Sequence, residues 1–314
     1  MLTYLIILLD DTSVSYCHYN VPQVDRRLIS LNDLRTAIVW AMKENLNIQF
    51  VYPDYELPAE YNEAIESVDH TKIKPTKQAQ DADVIVLTDW KFPADDVLNN
   101  TTCIIHSSRN DLSEHLTALK EILSKVARLN VVLTDVADFT DADIDDYKLL
   151  LSKLSVIVEE QLKSGKNVQM NLLTDRLMLD EMNNCNAGVS NVTLAPDGRF
   201  YLCPAFYYDK SKGHIGDLHN GLNIKNPQLL QLDHAPICRH CDAWHCRRCI
   251  WLNEQLTLDS NTPSHQQCVI AHLERSTSRD LLVRWNQEGF RYGSTHRIEE
   301  IKELDPFNIV NRWK

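Results

Sequence analysis

Residues 238–249 read Cys-Arg-His-Cys-Asp-Ala-Trp-His-Cys-Arg-Arg-Cys, which places two C-x-x-C pairs only four residues apart. A C-x-x-C turn brings two thiolates to one metal and points backbone N–H groups at the sulfurs. Two such pairs within twelve residues therefore predict a metal-binding domain, in which metal replaces much of the apolar core. Disulfides are not expected, because cytoplasmic thiols are kept reduced and clustering favours metal binding.

Seven of the nine cysteines lie in the latter half of the chain, whereas Cys17 and Cys103 stand alone. Zinc fingers and ribbons usually separate their two ligand pairs by a dozen or more residues, and seven ligands exceed one tetrahedral site. Iron–sulfur clusters accept ligands from distant segments, so two clusters fit better, with zinc as the alternative. The predicted metal ligands are Cys185, Cys203, Cys238, Cys241, Cys246, Cys249 and Cys268.

The first half alternates apolar β-rich runs with helical patterns, which predicts an α/β fold with a largely parallel sheet, either open or wrapped into a partial barrel. A hairpin is expected around the turn Pro196-Asp197-Gly198. Predicted strands are Tyr4–Leu9, Ile48–Tyr52, Val84–Thr88, Thr102–His106 and Asn130–Thr134. Predicted helices are Leu31–Asn45, Leu112–Ala127, Asp141–Lys163 with Thr140 as N-cap, Arg176–Met182 and Val269–Trp285.

The composition of the sequence changes after about Thr174, which suggests three parts. They are a degenerate α/β domain over 1–180, a cysteine-rich domain over 181–275 and a helical tail over 276–314. The net charge of −12 and a pI near 5.4 disfavour a nucleic-acid partner. The apolar run Leu5–Leu9 is too short to span a bilayer, and no secretory signal precedes it. We expect a cytoplasmic protein without a membrane partner.

Several ordered features of the latter half resemble the SPASM domain, the auxiliary iron–sulfur extension of many radical S-adenosylmethionine enzymes that modify peptides. They are Cys185-Asn-Ala-Gly188, Leu194-Ala-Pro-Asp-Gly-Arg-Phe-Tyr-Leu-Cys-Pro204, His214-Ile-Gly-Asp-Leu218, the two cysteine pairs and Cys268. The gaps of four and two residues within the paired block are each one shorter than the usual family pattern.

The resemblance implies two [4Fe–4S] clusters. Cys238, Cys241, Cys246 and Cys268 would hold one, and Cys185, Cys203 and Cys249 would hold the other. The fourth position of the second cluster could be open, or filled by a substrate peptide, His245 or His265, although exposed loop positions are the favoured interpretation of both histidines.

A radical S-adenosylmethionine enzyme also needs C-x3-C-x2-C after its first barrel strand, and here only Cys17 is present. The family's glycine-glycine-glutamate motif after the second strand is replaced by Tyr52-Pro-Asp-Tyr-Glu-Leu-Pro58. We therefore expect no bound S-adenosylmethionine. With 8 glycines and no phosphate-binding loop, the chain offers no other evident nucleotide site.

A degenerate barrel-like half joined to a SPASM-like half is similar to the CXXX repeat peptide maturase family, found beside a radical S-adenosylmethionine enzyme and a short precursor with spaced cysteines. The opening run Leu5-Ile-Ile-Leu-Leu-Asp-Asp-Thr-Ser-Val-Ser15 and the block Asn183-Asn-Cys-Asn-Ala-Gly188 carry this resemblance. It implies a role in maturing a ribosomally made peptide, with that precursor and a radical enzyme as partners.

Two functions of different classes follow. In the first, clusters pass electrons to, or hold cysteines of, a precursor peptide acted on by a partner radical enzyme. In the second, zinc or clusters only fold the C-terminal domain of a peptide-binding or partner-binding module. Independent radical catalysis is disfavoured because the ligating cysteines are absent.

Other candidate sites have simpler structural interpretations. Asp141, Asp143 and Asp145 fit a helix start better than an acid–base pair. Cys17 beside His18 fits a remnant of a lost cluster loop better than a nucleophile, and Cys103 fits a buried strand. Two further groups belong to the cysteine region. The first could shield a cluster from water and consists of the aromatics Tyr201, Phe206, Tyr207 and Tyr208. The second could stabilise thiolates and is the basic cluster Arg239, Arg247, Arg248, His240 and His245.

Overall fold

A computed structural model describes residues 2–21, 26–91, 98–209 and 213–300. The chain separates into two compact units that alternate along the sequence. The first unit contains residues 1–88 and 186–234, and the second contains residues 89–185 and 235–314. These units interleave, whereas the predicted domains 1–180, 181–275 and 276–314 are consecutive segments that stay a prediction. The part of the predicted tail from 301 to 314 lies outside the described residues.

Strands and helices are numbered here in chain order over the described residues. The strands are β1 (Tyr4–Leu8), β2 (Asn47–Val51), β3 (His70–Pro75), β4 (Val84–Leu87), β5 (Thr102–Ser107), β6 (Arg128–Leu133), β7 (Gln169–Met170), β8 (Asn191–Leu194), β9 (Phe200–Tyr201), β10 (Gly216–Asp217) and β11 (Gly221–Leu222). The helices are α1 (Leu31–Lys43), α2 (Ala59–Ile65), α3 (Arg109–Glu114), α4 (Leu116–Leu123), α5 (Asp141–Lys163), α6 (Asp175–Met178), α7 (Pro204–Tyr208), α8 (Ile250–Thr257) and α9 (His265–Gln287).

The first unit is built around β1, whose last four residues are buried. Its strands lie in the order β4-β3-β2-β1-β8-β9, and the pairs from β4 to β8 that are described run parallel. Central parallel strands read as continuous apolar runs because both faces are covered. The predicted hairpin is confirmed: β8 and β9 pair antiparallel, and Gly198 adopts the positive φ of +77° that the turn requires.

The second unit combines the parallel strands β5, β6 and β7 with the long helices α5 and α9. Helix α5 has the predicted bounds and begins with a capping box formed by Thr140 and Asp143. The prediction that the aspartates around Asp143 mark a helix start is thereby confirmed. Farther along the helix, Arg284 of α9 donates to Ser155 Oγ of α5 at 3.0 Å, so a polar contact joins the two helices.

The predicted α/β class is confirmed, since mainly parallel strands alternate with helices in the described chain.

The prediction of a single helix over Leu112–Ala127 is wrong. Helices α3 and α4 meet at His115, whose φ of −108° and ψ of 24° interrupt the regular turn, and the His115 ring contacts the Asp111 carbonyl oxygen at 2.8 Å. Among the described helices, none is both long and apolar enough to cross a membrane.

Candidate metal centre

Four of the predicted ligands meet at one small cavity of about 30 Å³ in the second unit. This group, called the cavity cysteines below, consists of Cys238, Cys241, Cys246 and Cys268. It is the set that the SPASM resemblance assigns to one cluster. Because the group combines both C-x-x-C turns with a cysteine from α9, the fold brings together residues up to thirty positions apart in sequence.

Local structure fixes each cavity cysteine. Cys238 begins a short 3₁₀ turn, and the Cys241 N–H donates to the Cys238 carbonyl oxygen at 3.0 Å. The Cys246 N–H closes the next turn on Ala243 at 2.9 Å. Cys268 lies in the first turn of α9, whose start is secured by a capping box between Ser264 and Gln267.

Backbone N–H groups point at the sulfurs, as expected for C-x-x-C turns that bind metal. The Ala243 N–H donates to Cys241 Sγ at 3.4 Å, and the Leu252 N–H donates to Cys249 Sγ at 3.5 Å. Such donors stabilise negative charge on sulfur and tune the potential of a bound cluster. The turns are therefore prepared for thiolates before any metal is considered.

Desolvation raises the pKa of Cys238 to about 11 and that of Cys246 to about 12. The neighbouring Cys241 thiol raises the pKa of Cys238 further. These thiols are consequently protonated at neutral pH in the metal-free chain. Metal ligation requires thiolates, so binding at the cavity would release protons.

Four thiols are a donor set that both polynuclear clusters and zinc use. No group of three or more His, Cys, Asp or Glu side chains in the described part of the chain converges closely enough to hold one metal ion. The four cavity cysteines instead surround a void. A cubic cluster binds each thiolate through a different iron, whereas zinc requires four ligands at about 2.3 Å from one centre.

Two further predicted ligands lie near each other in the second unit. The Cys185 N–H donates to the Arg247 carbonyl oxygen at 3.0 Å, which fixes Cys185 beside the paired-cysteine segment. Desolvation raises the pKa of Cys249 to about 12, and Cys185 adds to the increase, so the two thiols interact. Cys203 is buried in the first unit, directly before α7.

A buried ionic group supports the first C-x-x-C turn. Asp242 follows Cys241 and accepts Arg275 Nε through both carboxylate oxygens at 2.9 Å. Its carbonyl oxygen accepts Arg176 Nε at 2.6 Å, and the Arg176 guanidinium lies 4.0 Å from the ring centre of Trp244. Arg275 is 0% exposed and Arg176 is 2% exposed. Sequence reasoning missed both arginines, which lie outside the cysteine segment in helices with no motif of their own.

The interpretation of His245 as an exposed loop residue is wrong. Its side chain is 3% exposed, and its Nε2 lies 3.0 Å from Glu274 Oε2 of α9. Glu274 also accepts the hydroxyl of the fully buried Tyr147 at 2.6 Å. His245 thus joins the cysteine segment to α5 and α9, whereas His265 is exposed as expected but is the first residue of α9 and not a loop residue.

The predicted basic cluster divides into exposed and buried members. Arg239, Arg247 and His240 are exposed, whereas Arg248 is buried and lines the cavity. Another cavity-lining residue, His272 of α9, places its Nε2 3.4 Å from Cys241 Sγ. One arginine of the predicted cluster and one histidine of α9 therefore line the cavity.

In the first unit, side-chain hydrogen bonds hold the segment that follows β1. Asp10 is fully buried and accepts the Tyr55 hydroxyl at 2.8 Å, and Asp11 accepts the Tyr207 hydroxyl. Arg27 donates to the Tyr207 oxygen at 2.8 Å. Desolvation raises the pKa of Tyr55 to about 12, and its bond to Asp10 adds to the increase. These contacts give both carboxylates structural partners at the strand end.

Replacing Tyr207 by Phe should lower the free energy of unfolding by about 1–2 kcal/mol, because the buried Asp11 carboxylate loses a hydrogen-bond donor. Urea denaturation would measure the change. Tyr4→Phe is the matched control, since Tyr4 is 41% exposed on β1 and its substitution should change stability little. Equal effects of the two substitutions would contradict a structural role for the Asp11–Tyr207 bond.

The remaining candidate cysteine of the first half, Cys103, is fully buried in β5, and burial raises its pKa to about 12. Its predicted role as a small core residue is confirmed.

No protein-family model matches the sequence, and no curated protein is significantly similar to it. Among solved structures, the crystal structure of Streptococcus suis SuiB bound to precursor peptide SuiA is similar to this chain. The match has a TM-score of 0.44 at 14% sequence identity, and it covers 73% of this chain and 64% of that chain. The present chain therefore matches less than two thirds of the SuiB structure, and the likeness assigns no activity.

Proposed function

We propose that this protein is an accessory factor in the maturation of a ribosomally made, cysteine-repeat peptide, and that it binds two auxiliary [4Fe–4S] clusters. Cys238, Cys241, Cys246 and Cys268 are the proposed ligands of one cluster, and Cys185, Cys203 and Cys249 those of the other. The observation that carries the proposal is the convergence of the four cavity cysteines in the second unit.

The peptide-maturation part of the proposal rests on the SPASM-like order of motifs in the latter half. The first half would be a degenerate relative of a radical S-adenosylmethionine barrel. Its first strand is followed by Asp10 and Asp11, which are bonded to Tyr55 and Tyr207, where such an enzyme has three cluster-binding cysteines. The radical chemistry would then belong to a partner enzyme.

Clusters held at these cysteines would accept and donate single electrons, with potentials set by hydrogen bonds to sulfur and by exposure. The chain's own contribution is to hold the thiolates and surround them with donors. The backbone N–H groups of Ala243 and Leu252 serve Cys241 and Cys249 in this way. Buried Arg275 and Asp242 fix the first turn against α9.

Anaerobic purification followed by iron, acid-labile sulfide and zinc analysis would test the proposal. Two clusters predict about eight irons and about eight sulfides per chain, together with a broad visible absorption. One or two zinc ions per chain without colour would instead support the alternative, a non-redox module that binds a peptide or a partner and is folded by structural zinc.

The partner assignment needs a separate experiment. The loaded protein should bind a synthetic precursor with spaced cysteines in fluorescence anisotropy, and a peptide with those cysteines replaced by serine should bind more weakly. Reconstitution with a radical S-adenosylmethionine maturase should then modify the precursor only when this protein is present. Full modification in its absence would contradict the accessory role.

A further inference from the structure

Arg248 occupies an unusual position inside the second cysteine pair. It lies between Cys246 and Cys249, is 3% exposed and lines the cavity. Its φ of +42° is in the left-handed region, which arginine adopts rarely. A non-glycine residue keeps such a conformation only when its surroundings fix it.

Two asparagines hold the Arg248 guanidinium. Nη1 donates to Asn261 Oδ1 at 2.7 Å, and Nε donates to Asn184 Oδ1 at 3.2 Å. Both acceptors are neutral amides, and these two bonds position the guanidinium. Asn184 immediately precedes Cys185, so one of these bonds links the cavity-lining arginine to the segment that carries a ligand of the second proposed set.

The Arg248 guanidinium lies close to cysteines of both sets. It lines the cavity together with Cys238 and Cys246, and its bond to Asn184 ties it to the residue before Cys185. Burial lowers the pKa of the guanidinium, and Cys238, Cys185 and Cys246 each oppose that shift. Its charge lies in an interior where charges are weakly screened.

We propose that Arg248 is a positioning and tuning residue that places one positive charge beside the cavity cysteines and raises the reduction potential of the cluster in the cavity. This inference rests on the proposed function. A thiolate-bound cluster becomes more negative when it accepts an electron, so a nearby buried cation stabilises the reduced form more than the oxidised form.

The test is a redox titration of the full-length, anaerobically purified protein, followed by electron paramagnetic resonance of the reduced cluster. Arg248→Gln should shift the midpoint potential to a more negative value. Arg248→Lys keeps the charge and should stay close to wild type. Arg247→Gln is the matched control, because Arg247 is the exposed neighbour and its charge is screened by water.

Asn261→Asp provides a second test if Arg248→Gln does not fold. The substitution preserves shape but places a carboxylate against Nη1, so it should also lower the potential. Equal potentials in Asn261→Asp, Arg247→Gln and wild type would overturn the inference, as would an equal shift in Arg248→Lys and Arg248→Gln. Wild-type protein without iron would overturn the proposed function itself, which distinguishes the two failures.

Discussion

Replacing Cys241 by Ala should remove about four irons per chain, because one of the four thiolates of the cavity is lost. Cys241 accepts the Ala243 N–H and contacts His272, so its sulfur is also part of the local hydrogen bonding. Since ligand binding contributes to folding free energy, the variant should also unfold at lower temperature. Iron analysis and thermal denaturation under anaerobic conditions would measure both effects.

Two further variants serve as controls for Cys241→Ala. Cys17→Ala removes a cysteine of the first unit that belongs to neither proposed set and should leave iron content unchanged. Cys249→Ala should remove iron from the second set while the cavity set, which does not include Cys249, keeps its own. Unchanged iron content in Cys241→Ala would falsify the ligand assignment of the cavity.

Asp242→Ala should destabilise the protein by about 3 kcal/mol, because it leaves the buried Arg275 and Arg176 without their shared carboxylate. We expect the lower end of the range for breaking a buried pair, since the Asp242 side chain is 30% exposed. The measurement is urea denaturation, made on metal-loaded and on metal-free protein, because the ionic group does not depend on metal ligation.

Asp145→Ala is the matched control for Asp242→Ala, because Asp145 is an exposed carboxylate on α5. Its removal should change the free energy of unfolding by less than about 0.5 kcal/mol. If Asp242→Ala loses no more stability than the control, then other groups compensate the charges of the two arginines.

Regular elements and the cavity group were predictable because their signals are local. Helix α5 has a capping residue and uninterrupted apolar spacing, and the β8–β9 hairpin has a Pro-Asp-Gly turn. Three of the cavity cysteines follow from paired ligands at short spacing, whereas the SPASM resemblance grouped Cys268 with them. The binding of iron–sulfur clusters by these cysteines stays a prediction.

Features that depend on tertiary contacts were not predictable. Strand β3 was missed because its sequence, His-Thr-Lys-Ile-Lys-Pro, is largely polar, and only Ile73 and Pro75 are buried. The Asp242–Arg275 pair joins residues 33 positions apart with no shared motif. The break at His115 interrupts a pattern that is apolar at helical spacing on both sides.

The alternation of the two units along the chain limits what a shorter fragment can do. Residues 181–275 contain all seven predicted ligands, yet β8 in that segment pairs with β1, and Glu274 of α9 is bonded to Tyr147 of α5. Both partners lie upstream of residue 181. A truncated protein with only the cysteine-rich segment would therefore expose its unpaired strand and apolar helix face, and we expect it to aggregate instead of behaving as an independent module.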